Sequence, residues 1–218
     1  MINILNEKDI LDNYEKFKGI INDNFPSRAQ SLISMYEDLG ERVLMAPAAT
    51  TNKAHNSFPG GYLEHVIRVV ENSRQLYKVW GLMKMNVEGF TLEELTFAAL
   101  NHDLGKLGFP GEGNEYYLAE TLDWRHKKGY AYKANTTIPW MSVPDCSIFL
   151  LQNYGIKMSF NEMHSIRIHD GLYDKMNETY FLNYFDNGKF QTNMPYILMQ
   201  ADIMAMRFEY QRTKHLLP

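Results

Sequence analysis

The sequence predicts an all-α protein on three observations. Apolar residues recur at spacings of three and four through most of the chain, S/T-x-x-E/Q capping boxes precede several of those stretches, and alternating strand patterns are nearly absent. Lys8 to Phe25 carries Ile10, Leu11, Tyr14, Phe17, Ile20 and Ile21 on one face, with Asn6 placed to cap it. Ser27 to Gln30 reads as a capping box for a second helix with Leu32, Ile33, Tyr36 and Leu39, ending before Gly40. The small, polar, Pro-containing run from Met45 to Pro59 predicts a loop, and after Gly60-Gly61 the apolar run from Tyr62 to Trp80 predicts a third helix. Thr91 to Glu94 is a second box, opening a helix through Phe97 and Leu100 to a stop at Gly105. Phe109 to Pro144 has no steady period and predicts an irregular insertion, after which Asp145 and Ser147 read as caps of the next helix. Ser159 to Glu162 is a third box, with a stop at Gly171. The last helix spans about Met194 to Arg212, with Ile197, Leu198, Ala201, Met204, Ala205 and Phe208 on its predicted buried face.

Residues 1–218 fit one domain, with N-terminal helices over 1–45. A hydrophobic content of 45% with 22% charged residues excludes disordered and fibrous classes. The net charge of −4 gives no field for long duplex nucleic acid but leaves room for a small anion held locally. A single cysteine, Cys146, excludes an internal disulfide framework, and acidic residues in Met1 to Leu11 stand where a signal peptide needs an apolar run. The expected compartment is the cytoplasm. No stretch approaches the roughly 20 apolar residues of a bilayer span.

Chemistry shows as polar residues at positions where the helix pattern demands apolar ones. His102 shares the inward stripe of Leu95 and Ala98, and Asp103 follows at once. A carboxylate at a helix C-terminus is disfavoured by about 0.3 to 1 kcal/mol unless a cation compensates. Asp202 has Leu198, Ala205 and Met206 as helix neighbours, which predicts apolar surroundings and a carboxylate that lacks a partner unless metal is bound. His65 lies at the edge of a stripe with Tyr62, Val66 and Val69. Any one of these taken singly is more often a satisfied core residue. Together, mixed imidazole and carboxylate donors suit a divalent transition ion with open positions better than a structural zinc.

The order His65, His102-Asp103, Asp202, with the local texts GGYLEHVIRVV and ALNHDLGKLG, resembles the HD superfamily of metal-dependent phosphohydrolases. The stretch AHNSFPGGYLEHV is similar to HD domains of certain 3′ to 5′ exoribonucleases and relaxases, and the whole chain to small stand-alone HD proteins of bacteria and phages. The resemblance covers about Ala54 to Arg212, the expected metal-binding core over 54–212. It implies a helical bundle whose divalent ion (Mn, Fe, Co, Ni or Mg) is held by His65, His102, Asp103 and Asp202. The ion would supply a water ionised near neutral pH and polarise a phosphoryl oxygen. Asp103 and Lys106 are the expected catalytic residues, Lys106 meeting phosphate as a point charge or else remaining an ordinary surface lysine. Arg68, on the face of His65, is expected to fork onto a second phosphate or to form a plain salt bridge.

In two-metal relatives extra histidines fall between the doublet and the last Asp. His169, which ends its helix as His102 does, resembles such a ligand of a second metal, with His126 or His164 as another, and each reads otherwise as a capping or solvent-facing residue. The run Trp124 to Lys133 gathers Arg125, Lys127, Lys128 and Lys133 with three aromatics, so Lys127 and Lys128 are expected to bind substrate unless the loop is merely solvated. The expected function is hydrolysis of a phosphate ester or anhydride in a nucleotide or short oligonucleotide. The alternatives are a diiron HD-fold oxygenase and a nucleotide-binding module without turnover. No membrane partner is expected.

Overall fold

The computed structural model describes residues 4–51, 53–182 and 190–214; the expected 1–218 domain also takes in 1–3, 52, 183–189 and 215–218, which lie outside them. Among the described residues the fold is all-α, with ten helices and one two-stranded sheet. None of these helices is long and apolar enough to cross a membrane.

Helix α1 (Glu7–Asn24) starts at Asn6, whose side chain accepts from Asp9 N–H while the Asp9 carboxylate accepts from Asn6 N–H. Helix α2 (Ala29–Asp38) departs from the expected start. Its N-cap is Arg28 with no side-chain cap, so the Ser27 box does not form. The local motif yields to tertiary ion pairs: Arg28 bonds Glu162 at 2.9 Å and Glu93 at 3.0 Å. A one-turn helix α3 (Arg42–Met45) precedes the loop, then α4 (Gly61–Leu82) runs longer than expected at both ends. Helix α5 (Leu92–Asn101) begins at the Thr91 box, and α8 (Phe160–Ile168) at the Ser159 box, both with reciprocal bonds to Glu94 and Glu162.

The insertion is less irregular than its sequence suggests. β1 (Tyr117–Ala119) and β2 (Tyr132–Ala134) form an antiparallel pair in the register Tyr117–Ala134, Leu118–Lys133, Ala119–Tyr132, with α6 (Asp123–His126) between them. Helix α7 (Val143–Asn153) is capped by Ser142, not by Asp145 or Ser147. Short helix α9 (Glu178–Phe181) and long α10 (Met194–Lys214) complete the chain.

Phe17, Ile20 and Ile21 of α1 and Leu32, Met35 and Tyr36 of α2 belong to the same apolar core as Val66 and Val70 of α4 and Leu198 and Ala201 of α10. Each such buried side chain contributes roughly 1.5 to 3 kcal/mol by leaving water. Helix α10 lies chiefly along α4, and α4 along α5, which sets the inward faces of three helices around one interior. On α10, Met204 and Phe208 are half-exposed, contrary to expectation, and the positions that turn inward after Ala205 are Glu209 and Thr213.

Candidate metal centre

The Thr91 helix ends at Asn101, and His102 is its C-cap. Asp103 then leads into a 3₁₀ turn, Leu104–Leu107. This turn is fastened to α7 through Ser147, whose Oγ accepts from Gly105 N–H at 2.8 Å and shares its proton between the carbonyls of His102 (3.0 Å) and Val143 (2.9 Å). The result is a rigid corner with His102 and Asp103 both facing α4 and α10.

His169 caps α8 in the same way. In both histidines Nδ1 bonds the carbonyl three residues back, to Ala99 and to Ile166, each at 2.8 Å. That bond fixes Nδ1 as the protonated nitrogen and leaves Nε2 as a lone-pair donor, the arrangement a metal-binding imidazole needs. His65 is set from the other side: its Nδ1 lies 3.0 Å from Glu209 Oε2, so its Nε2 also points inward.

These donors converge. His65 Nε2 is 3.2 Å from Asp202 Oδ1 and 3.4 Å from Asp103 Oδ2, His102 Nε2 is 3.4 Å from Asp103 Oδ2, and His169 Nε2 is 3.7 Å from Asp103 Oδ1. Ligand atoms of His65, His102 and Asp103 lie within 4.8 Å of one another, as do those of His102, His169 and Asp202. His102 Nε2 is buried without a hydrogen-bond partner, and His65 Nε2 and Asp202 Oδ1, also buried, have chiefly their 3.2 Å contact with each other. An unpartnered imidazole nitrogen beside buried carboxylates and two further inward imidazoles is costly for a protein on its own, and this donor set fits a divalent cation.

The charges agree. Burial would raise the Asp103 carboxyl, but Lys106 and the neighbouring imidazoles hold it well below the usual carboxylate range. Asp202, likewise opposed by burial, is held low chiefly by His65. Burial disfavours the imidazolium of His65, yet Glu209 and Asp202 raise it to about 10. His169 is raised against burial by Asp170 and Asp103. Thus the expected apolar surroundings of Asp202 are corrected: its carboxylate faces imidazoles.

Of the residues singled out from sequence, His65, His102, Asp103, Asp202 and His169 come together. Lys106 joins them with Nζ 2.6 Å from Asp103 Oδ2, and this carboxylate keeps its ammonium charged despite burial. Arg68 does not face a substrate space. Its fork is used internally, on Glu209 at 3.1 Å and Glu64 at 3.1 Å, so the phosphate role expected for it is corrected. His126 is also corrected as a metal ligand: its Nε2 lies 2.7 Å from the Glu120 carbonyl, at the end of an exposed one-turn helix. His164 sits among the rings of Phe160, Tyr180 and Phe190, outside the convergent set. Lys127 and Lys128 are exposed, with Lys128 stacked over Trp124 at 4.9 Å and Arg125 over Tyr130 at 4.7 Å. Arg125 also pairs with Glu120 at 2.6 Å, and no residue of the basic run lines the pocket at the metal centre, so the substrate contact expected of Lys127 and Lys128 is not made at that pocket.

That pocket, about 520 Å³, opens beside His169 and Asp202 and is lined further by His55, Lys53, Arg207 and Tyr210. Lys53 and Arg207 are exposed cations at its wall, and Asp170 adds a carboxylate. Glu209, His55, Lys53 and Arg207 escaped the sequence reading. Glu209 had a signal, standing seven residues after Asp202 and so on the same face of α10. The others lie in a loop without period or on an exposed helix face.

Comparison of the chain with protein-family models, with curated proteins and with solved structures finds no match. What the site can do follows from its own donors and surroundings.

Proposed function

We propose that the protein is a metal-dependent phosphohydrolase acting on a small phosphorylated substrate, a nucleotide or short oligonucleotide, in keeping with the HD resemblance of its sequence. The observation that carries this reading is the convergence of His65, His102, Asp103, Asp202 and His169, of which His169 and Asp202 line a pocket that also bears Lys53 and Arg207. His65, His102, Asp103, Asp202 and His169 would hold a divalent ion there, which would supply Lewis acidity toward a phosphoryl oxygen and a water of lowered pKa.

The chain's own part is positional and electrostatic. Ala99 O, Ile166 O and Glu209 orient the three imidazoles. Lys106 balances Asp103 and holds its carboxylate in place. Lys53 and Arg207 attract an anion and Arg207 can fork onto it, while Tyr210 offers a flat face to a base. The pocket, about 520 Å³, suits a mononucleotide or the terminal nucleotide of a short strand.

A second reading, a diiron oxygenase, draws on His169, which extends the donor set. One experiment separates the two. The protein is incubated with nucleoside mono-, di- and triphosphates and short oligonucleotides in Mn, Co, Ni or Mg, with phosphate and pyrophosphate release read separately. Metal-dependent release that is lost in Asp103→Ala is expected. No release with any ion, together with two bound irons and oxygen consumption, would replace the hydrolase by the oxygenase.

A further inference from the structure

The loop between α3 and α4 is built with unusual strictness around one residue pair, His55-Asn56. Asn56 is buried at a φ of 43°, a left-handed conformation uncommon outside glycine and one that Asn adopts more readily than most residues. Its side chain is clamped: Oδ1 accepts from Arg212 at 3.1 Å, and Nδ2 reaches Glu64 Oε2 at 3.2 Å and Gly61 O at 3.4 Å. Its carbonyl accepts from Ala48 N–H at 3.0 Å and packs so close to Gly61 that any Cβ there would collide with it. Upstream, Thr50 O accepts from Ala131 and Tyr132 N–H at 3.0 and 3.1 Å, tying the loop to the hairpin.

This clamp presents His55 to the centre. The His55 ring lies 4.7 Å from the His65 ring, lines the pocket shared by His169 and Asp202, and has a buried Nε2 without a hydrogen-bond partner. A ligand atom of His55 lies near those of His65 and Glu209, but His55 is absent from the sets that bring His102, His169 and the two aspartates together. An ion between His55 and Glu209 is disfavoured, because the Glu209 oxygens already take His65 Nδ1 at 3.0 Å and the Arg68 guanidinium at 3.1 Å.

We infer that His55 is a substrate-contacting residue that ligates no metal: its Nε2 hydrogen-bonds an oxygen of the phosphate group bound in the pocket. The inference rests on the phosphohydrolase reading above and adds to it a specific contact, held in place by the Asn56 clamp.

The test uses inorganic phosphate as the probe and the manganese-loaded full chain. Manganese content is measured by elemental analysis and phosphate affinity by calorimetry, for wild type, His55→Ala and His55→Gln. Both variants are expected to hold as much manganese as wild type. Phosphate Kd should rise about ten-fold or more in His55→Ala and recover in part in His55→Gln, whose amide can donate from a similar position. Loss of manganese in either variant would make His55 a ligand and overturn the inference, as would an unchanged phosphate Kd in both. Failure of the underlying reading shows instead in wild type, as full manganese occupancy with no phosphate binding.

Discussion

Asp202 Oδ1 lies 3.2 Å from His65 Nε2, and each group alters the other's proton affinity. Asp202 is held below its ordinary value, so its contribution to stability is present above about pH 4 and lost as pH falls below that. His65 is raised to about 10, so its contribution is full below about pH 6.5, the ordinary histidine value, and lost as pH climbs through 10. The pair therefore supports the fold most between these two ordinary values. Asp202→Asn, with chelator present, is expected to melt below wild type by roughly 6 to 12 °C at pH 6, from a loss of about 3 kcal/mol on breaking a buried pair. The gap should narrow at pH 3 and again above pH 10. Thermal melts at the three pH values check this, and coincident melting at pH 6 would show that Asp202 has no protein partner. The helix neighbours Leu198, Ala205 and Met206 could not reveal that partner, since His65 stands on a different helix. Sequence neighbours report one helix face; the groups across the interior are set by packing.

At the scale of elements, helix starts were legible wherever the capping partners are local. The boxes at Thr91 and Ser159 and the cap at Asn6 form as read. Ser27 failed because the neighbouring Arg28 answers to carboxylates on α5 and α8, a tertiary demand that four residues of sequence do not show. The hairpin was missed because strands of three residues are too short to display alternation. The 3₁₀ turn after α5 has its own test. A Cβ on Gly105 would collide with Val143 O and come within 2.8 Å of Cys146 Cβ. Gly105→Ala is therefore expected to push the turn from α7, lowering stability by about 1 to 3 kcal/mol and reducing manganese binding, because His102 and Asp103 ride on that turn. Urea melts with elemental analysis decide the matter: an unchanged melt with full metal would mean that α7 yields freely.

Across the whole molecule, the inward histidines and aspartates were readable because their helices have clear periods, whereas His55 was hidden in a loop and the pocket cations on solvent-facing positions. The centre draws on α4, the ends of α5 and α8, and α10, and the bond from His65 to Glu209 joins residues 144 apart. Such a site has a kinetic signature. Its donors meet only after distant parts of the chain have been brought together, so an ion is expected to find its full set only once the rate-limiting barrier to folding has been crossed. Manganese at some hundreds of times its dissociation constant is expected to slow unfolding by roughly a hundred-fold while leaving the refolding rate within about a factor of two. Stopped-flow refolding and unfolding with manganese and with chelator measure both arms. An ion that instead accelerated refolding would place the four helix segments together already at the barrier. In the expected case the metal serves as a latch on the finished fold: it lengthens the lifetime of each folded molecule without hastening its formation.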